Sequence, residues 1–118
     1  MLIDREKAIR ELDMPEELFN ELLDMFVEQM EPPMKILEEV TENTDYEEIR
    51  KSAHLIQGSA GNLRIEVIQK IAKQIELDAV EKKNMEIIKK NIAQLRVTFE
   101  DVKKELAHGC IEKNPGGG

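Results

Sequence analysis

The sequence predicts an all-α fold, an antiparallel four-helix bundle with a short additional N-terminal helix. Apolar residues recur at three- and four-residue steps along most of the chain, no segment alternates as a half-buried strand would, and the breaks between periodic segments are short and polar. Aromatic residues make up 3% of the 118 and Trp is absent, so the core must be built from Leu, Ile, Val, Met and Ala. That material suits packed helices better than a small β-sandwich, and the length supports one core, not two.

The first helix is expected between Met1 and about Asp13, where Leu2, Ile9 and Leu12 stand among charges, and it would lie across one end of the bundle. Pro15 suits the first turn of the next helix, where its missing N–H is not needed, and Glu16 and Glu17 complement the helix dipole. Phe19, Leu22, Leu23, Phe26, Met30, Leu37 and Val40 continue that helix. Pro32-Pro33 should kink or restart it, since each proline deletes an i to i−4 hydrogen bond. Thr44 or Asp45 offers an N-cap to a third helix carrying Ile49, Ala53, Ile56, Ala60 and Leu63, with a stop between Gly61 and Arg64. A fourth, from about Glu66 to Val80, turns Ile68, Ile71, Ala72, Ile75 and Ala79 inward. The last, from about Asn84 to Ala107, is the most regular, with Ile88, Ile92, Leu95, Phe99, Val102 and Leu106 on one stripe. Residues 1–108 would form the domain, and 109–118, ending in Asn-Pro-Gly-Gly-Gly, a flexible Gly-rich tail.

The formal charge of −8 disfavours nucleic acid and anionic membrane surfaces, and the basic pairs Lys82-Lys83 and Lys89-Lys90 are too short to offset it. A single cysteine, Cys110, excludes an internal disulfide. No run approaches the roughly 20 apolar residues that span a bilayer. The expectation is a cytoplasmic monomer that neither binds nucleic acid nor inserts into a membrane.

Packing does not explain one face of the third helix. His54 lies about 100° around the helix from the core position Ala53 and shares a line with Arg50, Gln57, Gly58 and Gly61. A glycine inside a helix costs about 0.5 to 1 kcal/mol relative to alanine, so Gly58, one turn after His54, needs a reason. Removing its Cβ lets another molecule approach the ring; a helix-packing glycine or an early helix end is the alternative. Neutral imidazole is nucleophilic at neutral pH and a good leaving group, which suits it to carrying a phosphoryl group. Gln57 can donate an amide N–H, and Arg50, Lys51 and Arg64 are cations close in sequence. Leu55, off the core stripe and beside His54, is a candidate partner contact, as is Gly61.

The run Ala53-His-Leu-Ile-Gln-Gly-Ser-Ala-Gly-Asn-Leu63 resembles the histidine-containing phosphotransfer (HPt) domain of two-component phosphorelays. The resemblance implies that His54 is the phospho-accepting nucleophile, that Gly58 clears space beside it and that Ser59 and Ala60 are the small residues behind. Ile75-Glu76 is similar to an apolar-Glu pair common in the family's next helix. Two positions depart from the pattern: Gln57 replaces the usual Lys three residues after the histidine, and Arg64 replaces a Gly at the helix end, where it could supply the missing charge. The implied partners are a response-regulator receiver domain and a sensor histidine kinase, with Mg²⁺ on the receiver and no cofactor or ATP site on this chain.

Two other readings compete. Glu105-Leu-Ala-His108 matches half of a di-iron Glu-x-x-His pair, but Lys51 stands where a second Glu would precede His54, so no metal site is expected. A non-catalytic helical adaptor, binding a signalling partner without becoming phosphorylated, is the alternative function.

Overall fold

The computed structural model describes residues 2–113, with side chains through residue 107. Among these it contains α1 (Arg5–Leu12), α2 (Glu16–Glu38), α3 (Tyr46–Asn62), α4 (Glu66–Val80) and α5 (Met85–Lys113) and no strand. Short turns join the last four, each packs on its neighbour in sequence, and α2 meets α5 to close the ring. The result is a four-helix bundle with a short leading helix.

The caps follow local chemistry. Asp4 starts α1 by accepting from the Lys7 amide, and Asp45, not Thr44, starts α3 by accepting from the Glu47 amide. Thr44 instead closes the preceding turn, its hydroxyl accepting from the Thr41 amide. Pro15 precedes α2 in an extended conformation, as its fixed φ favours.

Phe19, Leu23, Phe26, Met30, Met34 and Leu37 of α2 face Ile49, Ala53, Ile56, Ala60, Ile68, Ala72, Ile75, Ile88, Leu95, Phe99 and Val102 in one buried cluster. Phe26 and Phe99 tilt against each other with centroids 6.2 Å apart. At the edge of this core Arg96 of α5 reaches Glu31 and Glu38 of α2 and Glu100 of its own helix, stacking its guanidinium over the Phe99 ring. Asp78, only 3% exposed, accepts from Gln74 through Oδ1 and from Asn91 through Oδ2, tying α4 to α5.

Three expectations require correction. Of the kink or restart expected at Pro32-Pro33, the restart does not occur: α2 runs unbroken from Glu16 to Glu38. Met30, Pro33, Met34 and Leu37 are all buried, so apolar contact holds the helix in place where two amide donors are missing. The last helix does not stop near Ala107: its backbone continues through Gly109 to Lys113. The proposed tail from 109 onward therefore begins inside α5, and its residues 114–118 lie outside the described residues. Finally, the apolar anchors of the N-terminus are Ile3 and Ala8, with Ile9 and Leu12 partly buried and Leu2 half-exposed.

Polar contacts strap α1 across one end of the bundle. Glu105 of α5 accepts from the Leu2 and Ile3 amides, Arg5 donates to Asn20, Lys7 pairs with Glu66 at 3.4 Å, and Glu11 pairs with Arg64 at 2.9 Å.

Candidate functional site

The core stripe of α3 turns Ala53 and Ile56 inward and leaves the His54 side chain 63% exposed on the flank next to α4. Its Nδ1 lies 2.7 Å from Oε2 of Glu76, a residue of α4 whose side chain is only 16% exposed. A carboxylate can only accept, so Nδ1 carries the proton and Nε2 is the nitrogen with a free lone pair. The pair fixes both the tautomer and the orientation of the ring.

Gly58 and Gly61 have different reasons to be glycine. A Cβ built on Gly58 meets nothing within 4 Å, so nothing in this chain requires its absence. At Gly61 a Cβ would stand 2.7 Å from Gln69 Nε2, so that glycine admits the α4 side chain lying over it. The helix-packing explanation thus holds for Gly61 and fails for Gly58.

The cations are distributed unevenly. Arg50 grips Glu47 with two hydrogen bonds, of 2.9 Å and 2.6 Å, and this contact holds the Glu47 carboxyl below its ordinary range while raising Arg50. Glu76 adds to the stabilisation of the Arg50 cation, so Arg50 borders the His54–Glu76 pair although its hydrogen bonds are spent on Glu47. Arg64 is directed away: its guanidinium holds Glu11 of α1 and the Gly61 carbonyl, at 2.9 and 3.0 Å. Its backbone is left-handed, with φ 62°, the conformation that makes glycine the easy choice at this helix end. Lys51 is exposed and makes no ion pair among the described residues. Gln57 is half-buried and its Oε1 is buried without a hydrogen-bond partner, so the carboxamide is turned at least partly into the bundle. Leu55 stands 50% exposed beside His54.

With that geometry established, comparison with known proteins adds one finding. A family model described as the Hpt domain matches residues 21–105, well over half of the chain, including all of α3 and α4. The chain belongs to the Hpt domain family. No curated protein and no solved structure matches it significantly.

Within this Hpt domain, the half-site Glu105-x-x-His108 has another use for its carboxylate, which binds the Leu2 and Ile3 amides at 2.8 and 3.4 Å. The His108 side chain lies outside the described residues. Among the described residues no cluster of three or more His, Cys, Asp or Glu is arranged to hold a metal, and no helix is long and apolar enough to cross a membrane.

Sequence reasoning missed the role of Glu76. In the sequence it stands out only as half of the pair Ile75-Glu76. Its partnership with His54 depends on the register of α4 against α3 across the turn at 63–65. The available signal was an acidic residue on the flank beside a core isoleucine, one step around the helix from Ile75, as His54 is from Ala53.

Proposed function

We propose that this Hpt domain is a phosphorelay intermediate that accepts a phosphoryl group on His54, from a receiver-domain aspartyl phosphate or a sensor histidine kinase, and passes it to a response-regulator receiver. The observation that carries the reading is the His54–Glu76 pair, an exposed imidazole whose proton is held on Nδ1 at 2.7 Å from a carboxylate, beside the open space at Gly58.

The Nε2 lone pair would attack phosphorus in line as the bond to the aspartyl oxygen breaks, and the aspartate leaves with that electron pair. The Nδ1 proton stays, so the phosphorylated ring is an imidazolium, and the Glu76 carboxylate offsets its charge. Transfer onward reverses these steps on a second aspartate. Mg²⁺ on the receiver would supply most of the charge neutralisation, while this chain supplies a fixed nucleophile and clearance for close approach. The exposed Leu55 gives the receiver an apolar contact next to the nucleophile.

The test is to incubate the protein with phosphorylated receivers and with an autophosphorylated sensor kinase and measure an acid-labile adduct. The adduct should form on the wild type and be absent from His54→Gln. No adduct from any donor, or equal labelling of the variant, would leave a helical adaptor as the function.

A further inference from the structure

We infer that Lys73 of α4 supplies the positive charge that the phosphoryl site lacks at Gln57, an inference that rests on the phosphocarrier reading of His54. Two stripes run antiparallel across the α3–α4 interface. On α3 they are His54, Gly58 and Gly61; on α4 they are Glu76, Lys73 and Gln69, so both advance by one helical turn per rung. Contacts fix both outer rungs. His54 Nδ1 is 2.7 Å from Glu76, and Gln69 Nε2 covers the place where a Gly61 Cβ would stand. The middle rung therefore sets Lys73 opposite Gly58.

That rung is open. Nothing lies within 4 Å of the missing Gly58 Cβ, which leaves room for a lysine stem and a phosphoryl group together. Lys73 is also uncommitted: it is exposed and pairs with no carboxylate among the described residues, whereas Arg50 is spent on Glu47 and Arg64 on Glu11. Lys51 is the other uncommitted cation near His54, but it stands three residues before the histidine, on the side away from the opening at Gly58, whereas Lys73 stands opposite that opening.

A phosphoryl group on Nε2 carries close to two negative charges, and an ammonium within reach stabilises it against loss. In that loss a water oxygen bonds to phosphorus, the N–P bond breaks, its electron pair returns to Nε2 and inorganic phosphate departs. Lys73 would thus take over from the opposite helix the task usually given to the residue three after the histidine.

The experiment loads the full chain with phosphoramidate, whose phosphoryl group moves to Nε2 as ammonia leaves, and follows phosphohistidine decay by ³¹P NMR. Lys73→Met should shorten the lifetime about fivefold, equivalent to about 1 kcal/mol. Lys73→Arg should preserve it, Lys51→Met should leave it unchanged, and Gln57→Lys added to Lys73→Met should restore it. Circular dichroism should report the same helix content and melting for all variants, so that a general loss of structure is not read as loss of charge. Decay of Lys73→Met at the wild-type rate, or equal shortening by Lys51→Met, overturns the inference and leaves the phosphocarrier reading intact. A wild type that takes no phosphoryl group on His54 from phosphoramidate or any protein donor overturns both.

Discussion

The Glu76 carboxylate meets His54 Nδ1 at 2.7 Å across the α3–α4 interface, joining a mostly buried acid to a mostly exposed base. The acid is held by the bundle while the base remains available to a partner. Replacing Glu76 by Ala removes a charge-assisted hydrogen bond of about 1.5 kcal/mol, so the rate of His54 phosphorylation should fall about tenfold. Gln at the same position keeps an acceptor for Nδ1–H and should lose less. Rapid-quench measurement of transfer from a phosphorylated receiver compares the two, and equal rates for wild type and Glu76→Ala would remove Glu76 from the mechanism.

Gly58 separates stability from function. With no atom within 4 Å of the added methyl, Gly58→Ala should raise stability by about 0.5 to 1 kcal/mol in urea unfolding. Gly58→Leu should keep the helical circular dichroism signal and slow transfer about a hundredfold, because the side chain occupies the approach to the imidazole. Gly61→Ala makes the contrast: its methyl meets Gln69 and must displace that side chain.

The acid cluster around Arg96 gives the bundle a pH dependence. Hydrogen bonding to Arg96 holds the Glu31 carboxyl below its ordinary 4.5 and raises Arg96 in turn. Since the folded-state value is the lower one, this contact contributes fully above the unfolded value and is lost as pH falls through the folded value. Stability should therefore decline below about pH 4.5, and Arg96→Met should flatten that part of the profile. At neutral pH the same substitution should cost about 1 to 2 kcal/mol, because it leaves Glu31, Glu38 and Glu100 without their shared cation. Urea titrations between acid and neutral pH read both effects.

Asp78 tests how α4 is kept in register with α5. Asp78→Ala removes the acceptor of the Gln74 and Asn91 amides, which donate at 2.8 and 2.9 Å, and should cost about 1 kcal/mol in urea unfolding, since the exposed Gln74 amide can turn to water. Asp78→Ser, which keeps a small acceptor, should recover part of it.

The fold was legible because its helices carry their instructions locally. The stripe Ile68, Ala72, Ile75, Ala79 specifies α4 to the residue, and Asp45 is an ordinary cap. The restart expected at Pro32-Pro33 does not occur: the local rule sees two lost hydrogen bonds and not the burial of Pro33 and Met34 that offsets them. The end of α5 was misplaced because Gly109 reads as a stop on propensity alone. At the site, His54 and Gly58 could be read from one helix, since their spacing is a property of that helix. Glu76 and the destination of Arg64 could not, since both depend on what another helix brings alongside. Arg64 carries the positive charge that the sequence suggested for the phosphoryl site, but its left-handed backbone and its contact with Glu11 commit it to α1.

The clearance at Gly58 belongs to the covalent structure and not to a conformation. No lid has to open and no loop has to order before a partner reaches the ring. Under the proposed function, the helix would bear the cost of the missing methyl equally when the histidine is empty and when it is loaded. The proposed carrier would not gate its own traffic, so the choice among competing partners would fall to the surfaces they present and to their concentrations.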